Sequence, residues 1–233
     1  MTPLVLLPGM MCDARLFAPQ VAAFSGARAV HCAPIGGHDS MQALAAHVLA
    51  HAPPRFALAG LSMGGIVAME VLHQAPDRVA GLALLDTNPK AELEGVRARR
   101  VPQMDKVRAG HLDAVMRDEM KPNYLSNGPR RAEILDLCME MALSLGAEVF
   151  LNQSRALADR PDQQETLRAY QGPALVLCGR DDALCPVTRH ELMHELIADS
   201  TLRVIENAGH LPTLERPDET TAALAAWLEK CDG

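Results

Sequence analysis

Three short stretches of this 233-residue chain set reactive side chains beside glycine. The first, Gly60-Leu61-Ser62-Met63-Gly64-Gly65, is a G-x-S-x-G between an apolar run ending at Ala59 and a helix-like run beginning at Met63. A serine in so sharp a strand-to-helix turn needs small neighbours. The turn lifts its hydroxyl above a sheet and aims a helix N-terminus at it. A serine capping an ordinary helix would use the same residue types. The second stretch, Gly179-Arg180-Asp181-Asp182, follows the apolar run Leu175–Cys178, and the third, Gly209-His210, follows Leu202–Ile205. A serine hydroxyl becomes a nucleophile only when a base takes its proton, and a neutral imidazole needs an acid behind it to fix its tautomer. Serine, aspartate and histidine in that order, each just past the end of a strand, predict acyl transfer.

The acid and the metal chemistry leave alternatives. Asp181 and Asp182 are adjacent, and Asp86 ends another apolar run, Val79–Leu85. Separately, His190-Glu191-Leu192-Met193-His194 matches H-E-x-x-H, whose i, i+4 histidines can bind zinc on one helix face, with His210 or Glu215 as a nominal third ligand. The competing reading is a helix packed on a sheet through Leu192, Met193, Leu196 and Ile197.

The elements that must position these residues alternate along the chain. Strands are expected at Leu4–Leu7, Ala29–Cys32, Phe56–Ala59, Val79–Leu85, Ala174–Cys178 and Leu202–Ile205. Helices are expected over Ala14–Phe24, Met41–His51 (capped by Ser40 and closed by Pro53-Pro54), Met63–Gln74, Val187–Ala198 and Pro217–Lys230. Strands that are apolar throughout, separated by helices, predict a parallel sheet covered on both faces, hence an α/β fold. From about Asn88 to Arg168 the strand signal stops, leaving helical runs over Asp113–Met120, Arg131–Ser144 and Glu148–Leu157, broken at Pro122, Pro129, Gly146 and Pro161. The expected organisation is a core of residues 1–87 and 169–233 with a helical cap insertion at 88–168.

Taken together, Leu4-Val5-Leu6-Leu7-Pro8-Gly9-Met10, Gly60-Leu61-Ser62-Met63-Gly64-Gly65, Gly179-Arg180-Asp181-Asp182 and Ala208-Gly209-His210-Leu211 resemble the α/β-hydrolase fold family, and more narrowly its short bacterial esterase-like members. The resemblance implies a mostly parallel sheet of about six strands, with Ser62 as nucleophile, His210 as base and Asp182 as orienting acid. It also implies an oxyanion hole from the backbone N–H groups of Met63 and Met10. Many relatives carry His-Gly where this chain has Pro8-Gly9, and the proline removes a donor and stiffens the loop before Met10. The expected reaction is hydrolysis of a carboxylic ester of a small soluble substrate. Thioester, lactone or C–C hydrolysis on the same triad, or a receptor-like member with little turnover, are the alternatives. No metal or organic cofactor is implied.

Composition narrows the partners. With 22 Lys+Arg against 29 Asp+Glu, a net charge of −7 and 48% hydrophobic residues, the chain is a folded acidic protein. Neither nucleic acid nor an anionic membrane is expected as partner. The basic run Arg97, Arg99, Arg100 reads as a solvated helix face. Arg155 and the Arg160-Pro161-Asp162 turn could tie cap to core through a salt bridge or anchor an anionic substrate. Six scattered cysteines without a C-x-x-C pair and no secretory signal point to reduced thiols in the cytoplasm. Twelve methionines against one Trp, two Tyr and four Phe suggest a pliable apolar lining, with Met10, Met11 and Met63 near the pocket. Oligomeric state leaves no trace in the sequence.

Overall fold

A computed structural model describes residues 1–233. The six apolar runs form strands β1 (Leu4–Leu7), β2 (Val30–Cys32), β3 (Phe56–Leu61), β4 (Val79–Leu85), β5 (Ala174–Gly179) and β6 (Ser200–Ile205). They make one sheet, parallel in every pairing, in the order β2-β1-β3-β4-β5-β6. Ten α-helices accompany it: α1 (Ala18–Phe24), α2 (Met41–His51), α3 (Met63–Gln74), α4 (Glu94–Arg108), α5 (Leu112–Ala114), α6 (Arg131–Ala158), α7 (Gln164–Ala169), α8 (Val187–Leu196), α9 (Pro212–Glu215) and α10 (Pro217–Cys231).

The four inner strands, β1, β3, β4 and β5, read as unbroken apolar runs because both faces are covered. Val5, Leu7, Leu58, Leu82, Leu84 and Val176 pack with residues of α2, α3 and α8, such as Leu44, Val67 and Met193. The alternate residues, including Leu4, Leu6, Leu85 and Leu177, pack with α1 and α10 through Phe24, Leu224 and Trp227. Local signals set the helix ends. The Ser40 hydroxyl accepts the Ala43 amide at 3.3 Å at the start of α2, and Pro212 and Pro217 open α9 and α10.

Between β4 and β5 the chain is helical throughout. The expected break at Gly146 is real: its φ of 81° interrupts α6, which otherwise joins the two predicted runs. The predicted run at Asp113–Met120 is α5 continuing into a π-helical turn, Val115–Met120. Two helices of this segment escaped the sequence reading. α4 buries only Val107 and carries Pro102 inside it, so it lacks the apolar stripe that signals a helix, and α7 is just six residues long.

The parallel register sets the site. Leu7 pairs with Gly60, Leu61 with Leu85, and Gly179 with Ile205, so the carboxyl ends of β1, β3, β4, β5 and β6 lie along one edge. That edge is where an open parallel sheet binds its ligand.

Candidate active site

Ser62 sits between β3 and α3 with φ 55° and ψ −116°, a backbone state that costs a non-glycine residue energy. The surroundings impose it. The Ser62 amide donates to Leu85 O at 2.9 Å, and its carbonyl accepts the Thr87 hydroxyl at 2.7 Å. The flanking glycines are steric requirements, since a Cβ on Gly60 would lie 2.2 Å from Gly64 O, and one on Gly64 would lie 2.0 Å from Leu7 O. The ordinary-cap alternative does not hold: the Ser62 side chain makes no capping hydrogen bond to α3.

His210 and Asp182 meet at the neighbouring strand ends. The His210 Nδ1–H donates to Asp182 Oδ2 at 2.8 Å, and both residues are buried. The other Asp182 oxygen, Oδ1, accepts the amides of Leu184 at 2.8 Å and Cys185 at 3.0 Å. Burial pushes the Asp182 carboxyl up, but the His210 charge, the His210 hydrogen bond and the two amides outweigh it and hold the group below its ordinary value. Of the three candidate acids, only Asp182 contacts the imidazole. Asp181 is exposed, its amide donating to Ala208 O at 2.8 Å. Asp86 is fully buried, with Oδ1 accepting the Gly179 amide at 2.9 Å. Burial first, then the Asp182 charge, push the Asp86 carboxyl well above the ordinary range.

The loop carrying His210 is braced by Glu215. Its Oε1 accepts the amides of Gly209 and Leu211 at 2.9 and 3.1 Å, and its Oε2 accepts the Ser126 amide and hydroxyl, both at 2.8 Å. The His210 amide donates to Tyr124 O at 2.6 Å. Glu215 is thus spent on holding the loop rather than available as a metal ligand.

The H-E-x-x-H reading fails on the same kind of evidence. His190 is fully buried, and its Nε2 accepts the Thr87 amide at 3.1 Å, while His194 is exposed with Nδ1 2.7 Å from the Ser200 hydroxyl. Burial drives His190 down to about 4. The two rings therefore face different surroundings, and the helix packs on the sheet through Met193 and Ile197. One group of metal-ligating side chains does converge: donor atoms of Asp182, Cys185 and His210 lie within 4.8 Å of one another. It coincides with the His–Asp pair, whose bonding is already satisfied without an ion.

The Met63 amide, first in α3, has no intrahelical acceptor. On the opposite loop the Cys12 amide donates to Gly9 O at 3.1 Å and the Met11 amide to Gln153 Oε1 at 2.9 Å, while the preceding Met10 amide has no acceptor within the chain. Met11 holds φ 56°, and the buried Gln153 clamps it by also donating from Nε2 to Ile35 O at 3.1 Å. Sequence reasoning had no signal for Gln153, Thr87 or this use of Glu215, since none belongs to a motif. Ser62, His210, Met10 and Met63 all border one cavity of about 510 Å³, a size suited to a small ligand. Met11 is buried and does not line it.

Residues 4–224 match the profile of the Alpha/beta hydrolase family. The chain belongs to that family, and it is a hydrolytic enzyme. Among curated relatives, it is 26% identical over 244 residues to a pimeloyl-[acyl-carrier protein] methyl ester esterase of Aliivibrio salmonicida, covering 98% of this chain and 93% of that one. It is 29% identical to the (E)-2-((N-methylformamido)methylene)succinate hydrolase of Acinetobacter baylyi, over 97% of this chain and 90% of the relative. Among solved structures, a thermophilic esterase from Thermogutta terrifontis superposes with a TM-score of 0.91 at 30% identity, covering 99% of this chain and 90% of that one. No helix is long and apolar enough to cross a membrane.

The basic run requires a correction. Arg97 is exposed and pairs with Asp159 at 3.0 Å, as a solvated face would. Arg100 does not face solvent: its side chain is 14% exposed, pairs with Glu92 at 2.6 Å, and lines the cavity, as does Arg99. Arg155 bonds only its own helix neighbour Asn152, at 3.1 Å, whereas Arg160 pairs with Glu92 at 3.1 Å.

Proposed function

We propose that the chain is a serine hydrolase that cleaves a carboxylic ester of a small molecule through Ser62, His210 and Asp182. The observation that carries this reading is the strained backbone of Ser62, whose side chain caps nothing and borders the same cavity as His210. Strain of that kind persists where the surroundings over-determine it, and here they do so to present one hydroxyl.

In the proposed reaction the Ser62 hydroxyl attacks the acyl carbonyl while His210 Nε2 takes its proton. The Asp182 carboxylate, bound to the other ring nitrogen, fixes the tautomer and steadies the imidazolium. The amides of Met63 and Met10 receive the oxyanion, and the positive end of α3 adds to that field. His210 then protonates the departing alcohol. Water, deprotonated by the same imidazole, attacks the acyl-serine, and collapse of the second tetrahedral intermediate frees the acid and restores Ser62. Residues 88–168 act as a cap that shapes the cavity from above the strand ends. An esterase at 30% identity with the same overall shape supports the choice of ester over other acyl bonds.

The test is turnover of p-nitrophenyl esters from acetate to octanoate by wild type and Ser62→Ala, with and without a chelator. Loss of one member of such a triad lowers kcat by about 10⁴-fold or more. Activity that survives chelation and disappears in Ser62→Ala is expected. Equal rates in wild type and Ser62→Ala would refute the serine mechanism. Ester binding without release of product would place the chain among receptor-like members.

A further inference from the structure

The cavity carries a charge pattern that the proposed triad does not use. Four arginines border it, Arg99, Arg100, Arg160 and Arg189, against two glutamates, Glu92 and Glu119. Glu119 is engaged by Lys106 at 2.7 Å. Glu92 is divided between two partners: Oε2 accepts from Arg100 Nε and Nη2 at 2.9 and 2.6 Å, and Oε1 lies 3.1 Å from Arg160 Nη2. The side chains of Glu92, Arg160 and Arg100 are 3%, 9% and 14% exposed. Two guanidiniums thus share one carboxylate out of solvent, which leaves one positive charge uncompensated. The Arg160 Nε–H is buried and has no acceptor at all. An unpaired buried cation and an orphaned donor each cost free energy, and a purely structural salt bridge would need neither. The surplus is more notable in a chain whose net charge is −7.

We infer that Arg160, with Arg100 and Glu92, forms a subsite for a carboxylate carried by the substrate, so that the ester cleaved at Ser62 is one bearing a free carboxylate. This rests on the serine-hydrolase reading and specifies its substrate class. The geometry favours a monoanion of planar shape. A carboxylate satisfies a guanidinium edge with two parallel hydrogen bonds and neutralises one charge. Glu92 serves to hold the two arginines in fixed orientations. The neutral part of the ligand meets the apolar wall, including Met10, Met63, Ile66 and Leu157.

The experiment compares kcat/KM for matched pairs of esters: monomethyl glutarate and monomethyl adipate against methyl pentanoate and methyl hexanoate, and 4-acetoxybutanoate against butyl acetate. Wild type is expected to prefer the charged member of at least one pair by about tenfold or more, since hydrogen bonds between charged groups are the strong ones. In Arg160→Gln that ratio falls about tenfold or more, and Arg160→Lys, which keeps the charge without the planar fork, lies between. Direct binding of monomethyl glutarate to Ser62→Ala, by calorimetry, is expected to weaken in step in the Ser62→Ala/Arg160→Gln double variant. Should Arg160→Gln not fold, Arg160→Lys, which keeps a cation beside Glu92, carries the same comparison, and a charged-to-neutral ratio unchanged from wild type there overturns the subsite. A wild-type ratio of one or below in every pair, with neutral esters turned over by Ser62, overturns the subsite and leaves the hydrolase reading intact. Failure of every ester, charged or neutral, while Ser62→Ala still binds the charged one would overturn the hydrolase reading and keep the subsite.

Discussion

Protonation of one buried histidine gives a measurable acid sensitivity. His190 is fully buried, and its Nε2 accepts the Thr87 amide at 3.1 Å, so the folded chain holds the ring neutral. Burial brings its pKa from 6.5 down to about 4. Between those values the unfolded chain takes up a proton that the folded chain refuses. Stability is therefore at its full value above about pH 6.5 and is lost as pH falls toward 4. The full difference corresponds to about 3 kcal/mol, of which about 2 kcal/mol is gone by pH 5. Urea denaturation of wild type and His190→Gln at pH 7.5 and pH 5.0 isolates this contribution, because the glutamine oxygen can still accept the Thr87 amide but does not titrate. Wild type should lose about 2 kcal/mol more than the variant over that interval. The same loss in both proteins would show that His190 is not held neutral by its surroundings.

Other consequences follow from the same geometry. Asp182→Asn should lower kcat by about 10⁴-fold by fixing the wrong imidazole tautomer, while Asp86→Asn, which keeps an oxygen for the Gly179 amide, should stay within about tenfold of wild type; steady-state ester kinetics check both. Gly64→Ala places a methyl 2.0 Å from Leu7 O, and should destabilise the fold by about 3 kcal/mol or more and displace the serine turn, read by thermal denaturation and activity together. Gln153→Leu removes the acceptor of the Met11 amide and the donor to Ile35 O. It should cost about 1–3 kcal/mol of stability and lower kcat more than it changes KM, because the loop it clamps presents the Met10 amide.

The parts legible in the sequence are those whose physics is local. A strand buried on both faces must be apolar at every position, and Leu4–Leu7 and Val79–Leu85 were readable to the residue. The serine turn was equally legible, because backbone crowding around Gly60 and Gly64 leaves no other residue type there. What escaped has no local signature. α4 is polar nearly all round and interrupted by Pro102, so periodicity could not find it, and the arginines on it looked like a solvated face. Whether Arg100 meets water or Glu92 depends on how residues 92, 100 and 160 converge, which no spacing rule encodes. Gln153 and Glu215 brace loops 142 and 89 residues away in sequence, and a glutamine or glutamate at those positions is unremarkable until the loops are seen.

Asp86 was a reasonable rival to Asp182, because both stand at strand ends beside the same edge. The structure separates them through charge. Asp182 receives His210 and two amides, which favour its ionised form. Asp86 receives one amide and lies entirely out of water. Burial and the neighbouring Asp182 charge push the Asp86 carboxyl up, whereas His210 and two amides hold Asp182 down. An Asp86 carboxyl shifted toward its neutral form leaves Asp182 as the carboxylate beside His210. With Nδ1 bonded to Asp182, Nε2 is the ring nitrogen left to serve Ser62 in the proposed reaction. The proposed acid, Asp182, is thus the carboxylate that the backbone solvates more fully.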